Sequence, residues 1–335
     1  MDAAKPRSDK ELLDAVKAFL KEDMKKSWFA FWSTLVFMLG SIAVAAKTPD
    51  AEMGAMGWIV RGIGAVLAGF LVVRFFILYH DFQHGAILRG SKLARALFGV
   101  YGVYIMTPPP VWRETHNYHH ANTAKIVGSH VGSYLTVTTG MWAKMTPKER
   151  TMYKIMRHPL TILSAYFTVF MLGMAVSPFV RQPKKHWLCG LSLLVNWGAS
   201  AAIIWKFGFL TFVFGWFLPL AIAMCMGAYL FYAQHQFPEA LIQPRENWSY
   251  TRAALEASSY MEMGPLMRYF TGNIGYHHVH HLSSMVPFYR LPEAMEAIPE
   301  LRNPPRTSLR PKDIAACLAA KLWDTEKQQL VGYPS

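Results

Sequence analysis

The chain has 335 residues, 53% of them hydrophobic and 16% charged, and its 34 Lys and Arg against 21 Asp and Glu give a formal net charge of +13. So apolar a chain excludes disorder, and a charged fraction below the roughly 25% of average globular proteins predicts much lipid-facing surface. The positive charge lies between apolar stretches and not on one polar domain, which argues against a nucleic-acid partner.

Residues 1–27 mix seven basic with six acidic side chains and do not read as a cleaved signal. Leu12, Leu13, Val16, Phe19 and Leu20 fall at helical spacing and predict an amphipathic helix at the membrane interface. Trp28 to Ala46 is free of charge, and Trp58 to Tyr79 is interrupted only by Arg61 and Arg74, expected to reach the headgroups from near the ends. Each run is long enough to cross about 30 Å of hydrocarbon. Lys25 and Lys26 precede the first run and Arg89, Lys92 and Arg95 follow the second, so the positive-inside rule puts both flanks in the cytoplasm.

Leu93 to Met106 is too short to cross and ends at Pro108, Pro109 and Pro110, which predicts a re-entrant or interfacial segment. Of the later runs, Leu160 to Val180 is expected to dip into the membrane and return, because a crossing would put the histidine clusters on opposite sides. Trp187 to Trp205 and Phe209 to Phe231 then form a hairpin around Lys206 to Gly208. The expected fold is all-α and integral to the membrane, with about four transmembrane helices, re-entrant or interfacial helices, and a cytoplasmic helical cap built from the residues after 236. Cys189, Cys225 and Cys317 are isolated, so no disulfide framework or CxxC site is expected.

The chain has 13 histidines, and most of them are clustered. His80 and His84 are four apart, and His116, His119 and His120 share the i, i+3, i+4 pattern with His277, His280 and His281, so each set projects from one helix face. His235 follows the last apolar run. Nine imidazoles at one membrane depth are hard to satisfy except by metal, and they are twice what one tetrahedral ion needs, which implies two ions. Imidazole alone admits Zn, Cu, Fe or Ni. His130, His158 and His186 stand alone and are expected to make loop or headgroup contacts.

These boxes, HxxxH, HxxHH and HxxHH between membrane hairpins, resemble the membrane-bound fatty acid desaturase superfamily, bacterial acyl-lipid desaturases in particular. Trp112-Arg113-Glu114-Thr115 before the second box, Phe231 to Phe237 around His235, Phe270 to Tyr276 before the third box, and His281 to Pro292 after it extend the similarity. On this resemblance, residues 28–310 form the desaturase-like membrane domain with its cap, 1–27 an amphipathic N-terminal segment and 311–335 a C-terminal tail. The resemblance implies that His80, His84, His116, His119, His120, His277, His280 and His281, with His235 from the last span, hold two iron ions. Asp81, Asn117, Gln234, Asn273 and His278 are expected behind them, orienting imidazoles or holding water. Phe82-Gln83 replaces a smaller pair common in family first boxes, which predicts a bulkier wall beside the metals.

The implied reaction forms a cis double bond in a fatty acyl lipid, with O2 as co-substrate and two electrons from a separate carrier, because no haem-binding or four-cysteine segment is fused to the chain. A ferredoxin with its reductase or a cytochrome-b-type carrier fits, and exposed Lys and Arg favour an acidic one. The implied location is a bacterial cytoplasmic membrane, with the active site on the cytoplasmic side. The alternatives are a di-iron hydroxylase or ketolase on the same scaffold, and a metal transporter, which would place its ligands nearer the midplane.

Overall fold

The computed structural model describes residues 7–47, 50–128 and 131–334, so His130 lies outside the described residues. Among them, four helices are long and apolar enough to cross a membrane: Met24–Lys47, Gly54–His84, Trp187–Phe207 and Phe209–Ala233. Asp23 starts the first, its Oδ1 accepting from the N–H groups of Lys25 and Lys26 at 3.0 and 3.1 Å. Gly54, at φ 54°, breaks the helix that begins at Asp50 and opens the second span. That span is 31 residues long. At 1.5 Å per residue it exceeds about 30 Å of hydrocarbon by several turns, which carries His80 and His84 beyond the apolar layer.

The third and fourth spans meet at Gly208, whose φ of 87° suits glycine alone, and form the expected hairpin. Thr211 Oγ1 donates to the Ala46 carbonyl at 3.4 Å, so this turn lies beside the far end of the first span. Gly69 lets the second and fourth spans touch: a Cβ there would stand 2.8 Å from Ile222. Both hairpins turn at one end of the bundle, and all the clustered histidines collect at the other.

Lys92–Tyr104 is a 13-residue helix, too short to cross, started by Ser91 Oγ accepting from Ala94 N–H. It packs Phe98 and Tyr101 against Phe75 and Tyr79 of the second span. The segment from Pro159 goes in and comes back: Tyr166 and Phe167 pack on Phe217 within the fourth span. Cys189 then meets the Met174 carbonyl, and Lys185 pairs with Glu114 at 2.8 Å on the second-box helix.

Three expectations change. Arg74 does not reach for headgroups; it is buried, donates from Nε to Thr34 Oγ1 at 3.1 Å, stacks on Tyr269 and bonds its carbonyl. Arg61 is also buried, over Trp58 and Phe214. In both cases protein gives the guanidinium a nearer surface than lipid does.

The N-terminal helix Asp9–Val16, opened by a Ser8–Glu11 capping box, turns its apolar face onto protein. Leu12, Val16 and Phe19 pack with Val279, Leu282 and Leu291 around the third box. Residues 311–334, expected as a tail, form helix Pro311–Ala319 and an antiparallel pair, Leu322–Asp324 with Gln329–Val331. Trp323 of that pair is 1% exposed and packs with Phe237.

Beneath the C-terminal pair lies Arg157. It donates to Gln236 Oε1 at 2.8 Å and to the carbonyls of Leu135 and Ala320 at 2.9 Å. One parallel pair, Tyr260–Glu262 with Arg306–Ser308, completes the cap.

Candidate metal centre

Four separate segments bring the clustered histidines together. His80 and His84 end the second span; His116, His119 and His120 lie on helix Pro109–Asn122; His235 follows the fourth span; and His277, His280 and His281 lie on helix His277–Leu282. Proline in the first turn starts the second of these helices, where its missing N–H costs nothing. Tyr79 fixes that start from the second span by donating to the Thr107 carbonyl at 2.8 Å.

The nine imidazoles fall into two sets, His80, His84, His116, His120 and His280, and His119, His235, His277 and His281. Within each set one ligand atom per residue lies within 4.8 Å of all the others. Helix geometry divides them. Residues i and i+4 lie within about 40° of each other, whereas i+3 falls about 60° to the other side. In the second box the i, i+4 pair His116 and His120 enters the first set and His119 crosses to the second. In the third box His277 and His281 enter the second set and His280 crosses to the first.

The Nε2 atoms point inward. In the first set the contacts are His80–His116 at 3.1 Å, His116–His120 at 3.1 Å and His120–His280 at 3.2 Å. In the second they are His119–His235 at 3.1 Å, His119–His281 at 3.3 Å and His235–His277 at 2.9 Å. Nitrogens about 2.1 Å from one ion stand about 3.0 Å apart at right angles and about 3.4 Å apart on a tetrahedron, so these spacings match polyhedron edges.

Hydrogen bonding among the rings does not account for the cluster. His235 Nδ1 faces the Ala257 carbonyl at 3.0 Å; a carbonyl only accepts, so the proton is on Nδ1 and Nε2 presents a lone pair. His80 Nδ1 meets Asp81 Oδ1 at 3.1 Å, and an ionised Asp81 selects the same tautomer. The Nδ1 atoms of His119, His120, His277 and His280 are buried without a partner among the described residues. Burial holds the imidazoles neutral: it pushes His235 down to about 4 and His116, His119, His120, His277, His280 and His281 well below the ordinary value. Neutral, convergent, all-nitrogen donors of this kind fit two first-row transition-metal ions.

The residues expected behind the ligands divide. Asp81 touches His80, and its Oδ2 accepts from the Phe288 backbone N–H at 2.7 Å. Asn273, at φ 58°, donates to the Phe288 carbonyl at 3.1 Å and so steadies the same residue. Gln234 donates to the Ile274 carbonyl at 2.8 Å, tying the fourth span to the turn before the third box. His278 faces the Leu301 carbonyl through Nε2 at 3.1 Å, outside both sets. Asn117 is exposed, about 100° around its helix from the buried His116, and belongs to neither set.

Phe82 packs on Phe98, so the bulk in the first box lies against the neighbouring helix. His158 caps helix Pro159–Leu163 by accepting from Leu160 N–H, and His186 is part-exposed at the start of the third span.

Sequence reasoning missed three contacts. Trp112 stacks on His116 with ring centroids 4.3 Å apart; its position four residues earlier on the same helix was the available signal. Thr123 donates to the His119 carbonyl at 2.7 Å and lies 3.5 Å from His281 Nδ1. The Ala257 carbonyl belongs to a backbone and left no signal.

Comparison with known proteins places this geometry. The family model described as fatty acid desaturase matches residues 56–310. A fatty acid desaturase of Bacillus subtilis (strain 168) is 30% identical over 97% of this chain and 90% of its own length. An sn-1 oleoyl-lipid 12-desaturase of Synechocystis sp. is 22% identical over 90% of this chain and 84% of its own. An sn-1 acyl-lipid omega-3 desaturase (ferredoxin) of Nostoc sp. is 25% identical over 82% and 76%. With the family model spanning most of the chain, all three histidine boxes included, the chain belongs to the fatty acid desaturase family.

Proposed function

We propose that this chain is a di-iron acyl-lipid desaturase, an oxidoreductase that forms a cis double bond in the acyl chain of a membrane lipid and draws two electrons from a separate carrier protein. The observation that carries this reading is the pair of neutral imidazole sets at one end of four apolar spans. The names of the Synechocystis and Nostoc relatives support a lipid-bound acyl substrate, and the latter supports a ferredoxin as carrier.

His80, His84, His116, His120 and His280 would hold one iron, and His119, His235, His277 and His281 the other. Bound iron supplies what no side-chain acid or base can, activation of O2 and removal of hydrogen from unactivated methylene carbons. The chain's own residues orient and exclude. Asp81 fixes the tautomer of His80, and Ala257 fixes that of His235. Burial of eight of the nine histidines, with His84 part-exposed, keeps bulk water from the reacting carbons. The spans supply the apolar medium an acyl chain already occupies, so the substrate reaches the site without leaving lipid. Lys25, Lys26, Arg89, Lys92 and Arg95 favour the cytoplasmic side for the histidine end, and the Bacillus subtilis relative supports a bacterial cytoplasmic membrane as the location.

Mass spectrometry of lipids from cells expressing the chain tests the reaction. Acyl chains lighter by two hydrogens are expected; a gain of one oxygen would make the enzyme a hydroxylase, and unchanged lipids would overturn the reading. Anaerobically purified protein is expected to hold about two irons per chain. A cysteine reporter at Lys206 should label from outside the cell, and labelling only after lysis would invert the orientation.

A further inference from the structure

Resting on that reading, the structure assigns an entry point for the electrons. All four histidines of the His119 set are buried, so a docked carrier reaches that set only through a relay from the surface. Trp248 is part-exposed, and its indole Nε1–H donates to the Thr123 carbonyl at 2.8 Å. Thr123 is itself buried, bonds the His119 carbonyl and lies 3.5 Å from His281 Nδ1. One residue therefore separates the surface indole from two members of the four-histidine set.

The surroundings of Trp248 favour a protein partner. The loop after the second-box helix is laced to the segment before Trp248 by Ile126 N–H to the Gln243 carbonyl at 3.2 Å and Gln243 N–H to the Ala124 carbonyl at 2.9 Å, which fixes the ring. Lys125 Nζ stands 3.9 Å from the indole centroid, held by Asn122 Oδ1 at 2.9 Å, with no carboxylate partner among the described residues. Val127 on the same loop is 78% exposed. A part-exposed indole, an apolar contact and an ammonium with no carboxylate beside it among the described residues, on a chain of net charge +13, fit a small, acidic, one-electron carrier protein.

We propose that Trp248 receives that carrier and passes its electrons through Thr123 toward His281 and His119. Each reduced carrier leaves oxidised by one electron, and two such encounters give the metal pair its two electrons. No bond is made or broken and no proton moves at the indole.

The test uses iron-loaded full-length protein and a reduced two-iron, two-sulfur ferredoxin, followed by stopped-flow absorbance, with dithionite and a small viologen mediator in parallel. W248L is expected to slow ferredoxin-driven reduction by about tenfold or more, as when a docked contact is misplaced, and to leave dithionite reduction unchanged. W248F, which keeps the ring and loses the N–H, should fall between and guards against a folding defect in W248L. K125E is expected to weaken ferredoxin binding about tenfold at low salt by calorimetry, with iron content unchanged.

Wild-type ferredoxin rates in W248L and W248F, with normal dithionite reduction, would overturn the entry point alone, and so would equal slowing by both reductants. A wild-type protein whose iron does not respond to dithionite would overturn the di-iron reading and this inference with it.

Discussion

The backbone N–H of Phe288 donates to Asp81 at 2.7 Å across 207 residues of sequence, while the other oxygen of Asp81 meets His80. The carboxylate joins the end of the second span to the segment after the third box, so the first and last histidine clusters share one hinge point. Asp81→Asn keeps an acceptor for Phe288 but turns an N–H toward the protonated Nδ1 of His80. We expect about 10- to 100-fold loss of metal affinity or desaturation, the cost usual for such an orienting partner. Iron titration and lipid analysis measure it, and an unchanged D81N would remove Asp81 from the site.

The two histidine sets differ in redundancy. His277→Ala leaves three imidazoles in its set, whereas His280→Ala leaves four in the other. H277A should therefore hold about one iron per chain and H280A more than that. His278→Asn, altered outside both sets, should keep the wild-type content. Metal analysis of anaerobically purified variants decides, and equal loss in H277A and H278N would contradict the division.

Acid should unfold the metal-free protein early. Burial lowers His235 and His278 to about 4 in the folded chain, from 6.5 when exposed. The folded state then binds fewer protons than the unfolded state. Their contribution is fully present above about 6.5 and is lost as pH falls toward about 4. Thermal unfolding of chelator-stripped protein in detergent should show the midpoint falling through that window, with a shallower fall in H278N. A flat profile would mean that the imidazoles are solvated.

The C-terminal segment is structural. Trp323→Ala removes a fully buried ring and should cost about 3–5 kcal/mol. Ending the chain at residue 310 also strips the Ala320 carbonyl from the buried Arg157. Folded yield by size-exclusion chromatography is expected to collapse for the truncation and to fall for W323A.

The spans and the box histidines were legible because hydropathy and the i, i+3, i+4 spacing are local properties of the chain. Hydropathy does not say whether protein or lipid covers an apolar face. The Leu12–Val16 face therefore read as interfacial although Val279 and Leu282 cover it, and Arg74 read as a headgroup contact although Thr34 and Tyr269 receive it. Helical spacing put His119 beside His116, but its assignment to the set of His235 needed the positions of two other helices. Phe288 acts through its backbone, which no side-chain pattern reveals.

The covering of the third box by the N-terminal helix has a consequence for biosynthesis. The ligand atoms are spread from His80 to His281, and the helix that packs over the last of them precedes them all in the sequence. A nascent chain can seat its membrane hairpins early, but one imidazole set is complete only with His280 and the other only with His281. Neither set can therefore fill before the third box has been made, and the Asp9–Val16 helix can close over that box only after its final turn has formed.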